Sequence, residues 1–143
     1  MYLAVPLATV AQAQASSGTL GDRRVIHSFF KEFIMTKKQA VIRADETVTF
    51  ISVFDVEPEK QQQLIDVLNE GAEKVISKRP GFISASILAS KDGTRVVNYA
   101  QWKSLDDVKA TREDPNAAPF AKRMAEIAKA TPHVFTVSSV HTA

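Results

Sequence analysis

Residues 48–58 read VTFISVFDVEP, and this segment gives the strongest indication of the fold. β-Branched and aromatic side chains dominate Val48–Val56, a composition typical of a β-strand. Alternate residues of a strand face opposite sides, which gives two sets, Phe50, Ser52 and Phe54, and Thr49, Ile51 and Val53. Because both sets are largely apolar, we expect the strand to be covered on both faces. Pro58 then favours the start of a helix, where a missing N–H leaves no hydrogen bond unmade.

The segment after Pro58 has the pattern of an amphipathic helix. Its apolar side chains recur with the 3.6-residue period at Leu64, Val67, Leu68, Val75 and Ile76. Cations in the last turn, followed by two helix breakers, predict that the helix ends within Lys78–Gly81.

Two strands joined by a tight turn follow this helix. The first is predicted at Phe82–Ala89 and the returning strand at Thr94–Trp102. The sequence Lys91-Asp92-Gly93 between them is typical of a hairpin turn, in which Asp-Gly supplies the positive φ angles.

A short helix is predicted after the third strand. Ser104 resembles the first residue of a capping box, with Asp107 in place of the usual Glu, and the helix should reach about Arg112. The sequence Asp114-Pro115-Asn116 then breaks it.

A third helix and a last strand complete the pattern. The helix should run from about Ala118 to Ala130, with an inner stripe of Phe120, Met124, Ile127 and Ala128. Thr131-Pro132 is expected to end this helix, and the last strand is predicted at His133–His141.

The element order β-α-β-β-α-α-β predicts an α+β fold of the ferredoxin-like, split βαβ type, with helices on one face of a four-stranded antiparallel sheet. The other face would carry Val97, Tyr99 and Gln101 from the third strand. The last strand would add either His133, Phe135, Val137 and Ser139 or Val134, Thr136, Ser138 and Val140. A face this apolar predicts a partner, and a symmetric homodimer would close two sheets into a dimeric α+β barrel.

Composition excludes several classes of protein. The 143 residues suit one domain, and 45% apolar with 24% charged residues is ordinary globular usage. A net charge of +2 without a basic cluster argues against nucleic-acid binding. The absence of cysteine excludes disulfides, thiolate metal sites and cysteine nucleophiles. No apolar run approaches the roughly 20 residues that span a bilayer, so we expect a cytoplasmic protein without a membrane partner.

Residues 1–46 differ from the rest and are expected to form an N-terminal extension to a domain at 47–143. Met1–Ser17 resembles a signal peptide, but it lacks a basic n-region and Pro6 interrupts its apolar stretch. Lys31-Glu32 precedes Met35 at a distance that suits a ribosome-binding sequence and a native start, which would make the preceding residues a translated leader. A flexible native tail is the remaining alternative.

Three stretches carry a family resemblance, namely Phe50–Lys60, the Arg79–Phe82 corner and Asn98–Ser104. Over about Thr47 to His141 the chain resembles the antibiotic biosynthesis monooxygenase family. That family includes cofactor-free anthrone oxygenases, quinol monooxygenases, haem-degrading enzymes, a sugar-phosphate isomerase and members without known activity. The resemblance implies a dimeric ferredoxin-like barrel.

Two residues of the third strand tie the chain to the anthrone oxygenases, in which an Asn and a Trp four positions apart line the pocket. Asn98 and Trp102 have this spacing, and residues i and i+4 of a strand point the same way. The resemblance implies that Trp102 forms a wall for an aromatic ring and that Asn98 donates to a developing phenolate or enolate oxygen. In that family the substrate carbanion itself reduces O2, which implies no cofactor and no metal.

Six further residues are candidates for contact with substrate: Phe50, Phe54, Arg112, Phe120, Arg123 and Met124. The aromatic and Met side chains also suit an ordinary core, and the two arginines also suit a solvated surface. They are only approximate counterparts of the Tyr and the basic residue that assist in anthrone oxygenases. The haem-degrading branch carries a histidine on the helix after the Trp, and Val108–Glu113 has none.

The resulting prediction is a cofactor-independent monooxygenase that oxidises a small electron-rich aromatic, of the anthrone or hydroquinone type, with O2. The alternative is a dimeric small-molecule-binding or stress-associated protein with the same fold and no turnover. Oxygen consumption with anthrones and quinols would distinguish the two.

Overall fold

The computed structural model describes residues 38–143. The predictions about a signal peptide, a leader and a start at Met35 therefore fall on residues that lie outside the described part. Contacts join Ala40–Ala143 into one unit. No helix within residues 38–143 is long and apolar enough to cross a bilayer.

Four antiparallel strands form one sheet in the order β2-β3-β1-β4. They are β1 Val48–Val56, β2 Phe82–Ala89, β3 Arg95–Trp102 and β4 Ala128–Phe135. The two central strands lie next to each other although a helix and β2 separate them in sequence, as the split βαβ arrangement requires. This confirms the predicted ferredoxin-like α+β fold.

Three α-helices accompany the sheet: α1 Gln61–Lys74, α2 Leu105–Arg112 and α3 Ala118–Ile127. The single helix predicted from Pro58 to Lys78 is instead divided, because Pro58–Lys60 and Ile76–Lys78 are separate 3-10 turns. The break is at Val75, whose φ of −125° lies outside the helical range.

The inner stripe of α1 includes one residue that the pattern did not predict. Gly71 is buried with Leu64, Val67 and Leu68. A Cβ atom at Gly71 would lie 3.2 Å from the Phe120 ring, so the missing side chain makes room for that ring of α3. The glycine therefore sets how closely α1 and α3 pack.

Side chains before and after the turn that precedes β2 fix the conformation of that turn. Gly81 has a φ of 78°, and a side chain there would overlap the Asp107 carboxylate. Ser104 caps α2 as predicted, because its Oγ accepts from the Asp107 N–H at 3.1 Å and donates to the Asp107 carboxylate at 2.7 Å. Arg79 pairs with the buried Asp114 at 2.8 Å.

The β2–β3 hairpin differs from the predicted Asp-Gly turn. Only Gly93 has a positive φ, at 80°, and Asp92 does not. The Asp92 carboxylate instead accepts hydrogen bonds from the Thr94 N–H at 3.0 Å, the Thr94 hydroxyl at 2.7 Å and the Ser90 hydroxyl at 2.8 Å. These bonds, led by that from the Thr94 backbone, lower the pKa of Asp92 to about 2.

The last strand was predicted five residues too late. The helix α3 ends at Ile127, and β4 begins at once with Ala128, so Thr131-Pro132 lies inside a strand and does not end a helix. Pro132 pairs with Ser52, and β4 is an edge strand, where a residue without an N–H is tolerated.

The apolar core has two parts on the helix-covered face of the sheet. One contains the buried Phe54, Val56, Leu64, Leu68 and Val96. The other contains the buried Ala100, Trp102 and Val108. Ser52 and Asn98, which pair with each other across β1 and β3, separate the two parts. This gap in the apolar packing positions the candidate site.

Candidate functional site

A cavity of about 1270 Å³ lies against the helix-covered face of the sheet. Strands β1 and β3 form its floor, and residues from all three helices contribute to its walls. This volume exceeds the roughly 300–1,000 Å³ of most pockets that bind small molecules, so the cavity can hold a fused-ring ligand.

The centre of the floor is a polar pair surrounded by small and apolar side chains. Ser52 and Asn98 are register partners on β1 and β3, so their Cβ atoms are about 4.5–5.5 Å apart. Ala100 follows on the same face, with Ala85 opposite it on β2. Two alanines leave room above the floor between Asn98 and Trp102.

Asn98 presents its amide to the cavity. The side chain is half-buried and lines the cavity, and it makes no hydrogen bond within residues 38–143. The strand spacing correctly placed Asn98 and Trp102 on one face and in one cavity. An amide in this position can donate to a ligand oxygen without first losing a protein partner.

Ser52 is a polar cavity residue that the sequence did not single out as a candidate. Only 5% of it is exposed, and its hydroxyl has no hydrogen-bond partner in the described part of the chain. Its alternation with Phe50 and Phe54 placed it on this face, but only the β1–β3 register brings it beside Asn98. That pairing depends on a contact between distant residues, which single-strand periodicity does not give.

Trp102 belongs to both the cavity and the core. It lines the cavity, yet only 3% of it is exposed. The Phe82 ring meets the indole edge-to-face, with centroids 5.4 Å apart and an interplanar angle of 80°. Val108 of α2 packs in the same cluster. The indole is therefore a fixed wall held by its neighbours.

Five of the six other candidate residues line the cavity: Phe50, Phe54, Arg112, Phe120 and Met124. Arg123 is placed elsewhere. Its guanidinium binds the Glu70 carboxylate at 2.8 Å and lies 5.8 Å from the Phe120 ring centroid. Arg123 is thus not among the residues that line the cavity, because a carboxylate on α1 holds this arginine between the two helices.

The titratable groups that line the cavity are grouped at its ends. Hydrogen bonds from Lys74 and then from Arg123 lower the pKa of the half-buried Glu70, which does not line the cavity. Among the described residues that line the cavity, the acidic ones are Asp55, Glu57 and Glu126, and they border one end of it. Within residues 38–143, no three His, Asp or Glu side chains are grouped so that they could hold a metal ion.

The chain is similar to monooxygenases in sequence and in fold. The family model described as antibiotic biosynthesis monooxygenase matches residues 47–123. Tetracenomycin-F1 monooxygenase of Streptomyces glaucescens is 48% identical over 71 residues, which cover 50% of this chain and 63% of that relative. The match thus spans less than two thirds of the relative's length.

Two solved structures share the fold. A monooxygenase from the ActVA-Orf6 gene of Streptomyces coelicolor, in complex with nanaomycin D, is 28% identical with a TM-score of 0.62, covering 67% of this chain and 91% of that one. A mutant of SnoaB, a cofactor-independent oxygenase from Streptomyces nogalater, is 22% identical with a TM-score of 0.62, covering 67% and 97%.

Proposed function

Because this chain belongs to the antibiotic biosynthesis monooxygenase family, we propose that it oxidises a small electron-rich aromatic of the anthrone or hydroquinone type with O2 and without a cofactor. The observation that carries the proposal is the unpaired Asn98 amide, which faces an apolar cavity beside the wall formed by Trp102. The names of the relative and the structural neighbours support a monooxygenase reaction.

The chemistry can be written with all atoms balanced for an anthrone. Loss of a C–H proton to water leaves an enolate, whose oxygen accepts a hydrogen bond from the Asn98 amide. The carbanion carbon gives its electrons to O2 and forms a C–O bond, and the proton returns to give a hydroperoxide. Loss of the second C–H proton with cleavage of the O–O bond leaves a carbonyl and one water. The substrate supplies every electron.

The protein contributes electrostatics and position in this scheme. No carboxylate or imidazole borders the polar pair in the described part of the chain, so the substrate must be acidic enough to ionise beside an amide. Ser52 can supply a second donor next to Asn98. Trp102 and Phe50 supply flat apolar surface for the ring.

Oxygen uptake tests the proposal directly. Purified protein is dialysed against a chelator and given a panel of anthrones and hydroquinones without added cofactor. For an anthrone we expect one O2 consumed per molecule, with one atom of 18O2 appearing in the quinone. A panel that binds without faster oxygen uptake than buffer would contradict oxygenase activity and favour the non-catalytic binding protein.

The assembly is part of the proposal. The sheet face opposite α1, α2 and α3 carries Ile51, Val53, Val97 and Tyr99, together with the exposed Leu88 and Phe135. A second copy would cover this face and form the dimeric barrel. Sedimentation should give a dimer at micromolar concentration, and a monomer would contradict the dimeric barrel.

We further propose a cytoplasmic location, which fractionation of cells expressing the native gene can test.

A further inference from the structure

Charged side chains border the cavity at both ends, and the two ends differ in charge balance. One end is formed where β1 finishes and β3 begins, and its charged lining residues are Asp55, Glu57, Lys60, Arg95, Glu126 and Lys129. Three carboxylates thus face three cations. Lys60 pairs with Glu57 at 2.9 Å and Arg95 with Asp55 at 3.3 Å. This end carries no excess charge.

The other end holds a single charged lining residue among those described, Arg112. It is the last residue of α2, which packs through Val108 against Trp102 and Ala100. Along the paired strands β1 and β3, this end lies seven residues, or roughly 23 Å, from the end with balanced charges. A cation therefore lies at the end of the cavity that the apolar wall borders, and no acidic residue lines the cavity at this end.

The other arginines of the sheet-and-helix domain behave differently. Arg79, Arg95 and Arg123 are each paired, with Asp114 at 2.8 Å, Asp55 at 3.3 Å and Glu70 at 2.8 Å respectively. No carboxylate within residues 38–143 is at ion-pair distance from Arg112. From β1 onward, two arginines line the cavity, Arg95 and Arg112, and of these Arg112 is the one without a carboxylate at ion-pair distance.

A guanidinium presents a planar fork of N–H donors that matches a carboxylate in two parallel hydrogen bonds. A ligand that fills the cavity would also displace water from around Arg112, which strengthens such a pair. We propose that Arg112 binds a carboxylate substituent of the substrate, so the site prefers a fused-ring aromatic acid to its neutral analogue. The inference rests on the proposed function for the ring system of the substrate. It also assigns the orientation of the substrate in the cavity, with its carboxylate at the end that α2 borders.

Binding of two matched quinones tests this assignment without turnover. Anthraquinone-2-carboxylate and anthraquinone-2-carboxamide have nearly the same shape and differ in charge. Trp102 is the single tryptophan and lines the cavity, so quenching of its fluorescence reports occupancy. We expect the wild-type protein to bind the carboxylate roughly tenfold more tightly than the carboxamide, as one hydrogen-bonded charge pair would give. Added salt should reduce this preference.

Three variants distinguish an effect of the Arg112 charge on binding from an effect of substitution on the fold. Arg112→Met should abolish the preference and leave carboxamide affinity within about twofold of wild type, because Met retains the apolar stem. Arg112→Lys should restore part of it, since Lys keeps the charge and loses the fork. Arg123→Met is the matched control, because that arginine lies outside the cavity, and the preference should persist.

Several outcomes would overturn the assignment. Equal wild-type affinities for the two quinones would do so, as would equal losses for both in Arg112→Met or no quenching by either. Loss of the preference in Arg123→Met would show a general effect of surface charge instead. These outcomes are independent of the oxygen-uptake assay. A protein that prefers the carboxylate but consumes no O2 would keep Arg112 as an acid-binding residue and contradict only the oxygenase proposal.

Discussion

The Trp102 end of β3 and the Ser52–Asn98 pair lie on the same face of the sheet but differ in what surrounds them. Trp102 is 3% exposed and packs against Phe82 and Val108. Asn98 is half-buried, and neither it nor Ser52 has a side-chain hydrogen bond in the described part of the chain. Packing against neighbouring side chains holds the first region, whereas the second presents two unpaired polar groups to the cavity. Substitutions at Trp102 should therefore affect stability, whereas those at the polar pair should affect turnover.

The largest expected effect on stability is that of Trp102→Ala. Removing a buried indole leaves a cavity and should lower the free energy of unfolding by about 3–5 kcal/mol. Chemical denaturation followed by circular dichroism measures the change. Trp102→Phe is the gentler control, because it keeps an aromatic ring beside Phe82 and should cost less. A Trp102→Ala protein as stable as wild type would show that the indole is not part of the core.

Ser52→Ala tests whether the polar pair affects turnover more than it affects stability. The hydroxyl has no protein partner in the described residues, so its loss should leave the melting temperature nearly unchanged. If Ser52 donates to the same substrate oxygen as Asn98, kcat should fall by about twofold to tenfold, as expected for one neutral hydrogen bond. Ser86→Ala is the control, because Ser86 pairs with Tyr99 on the opposite face. A marked fall in melting temperature with unchanged kcat would make Ser52 a structural residue.

The hairpin between β2 and β3 should show the smallest effect. Folding lowers the pKa of Asp92 from an ordinary 3.8 to about 2, so its contribution to stability is present above pH 4 and is lost as the pH falls through about 2. Asp92→Asn should therefore flatten the dependence of stability on pH in this window and leave kcat unchanged. Thermal unfolding between pH 2 and 5 measures it. A curve identical to wild type would contradict the hydrogen-bonded turn.

Local sequence pattern predicted most of the sheet correctly. It failed at β4, an edge strand that contains a proline. The bounds of β1 and β2 follow from runs of β-branched and apolar residues, and both agree with the structure. Thr131-Pro132 was assigned to a helix end because proline usually interrupts regular structure. The edge position of β4, a tertiary property, is what allows Pro132 inside the strand.

The sequence predicted the site residues that share one strand, but not those that pairing between strands or packing between helices brings together. The four-residue spacing placed Asn98 and Trp102 on one face, because a strand has a fixed period. Ser52 was not recognised, because its position beside Asn98 depends on the register between β1 and β3. Arg112 and Arg123 could not be distinguished in the sequence. Only the packing of α1 against α3, which brings Glu70 to Arg123, separates the paired surface residue from the cavity residue.

Steady-state kinetics of Asn98→Ala test the central claim, that this amide stabilises negative charge which develops during oxidation. We expect a kcat about tenfold to a thousandfold below wild type, as for removal of an oxyanion donor. KM should change much less, because the charge appears mainly in the transition state. The melting temperature should stay near that of wild type, since the amide has no partner within residues 38–143. A folded Asn98→Ala protein that oxidises an accepted anthrone at the wild-type rate would contradict the account.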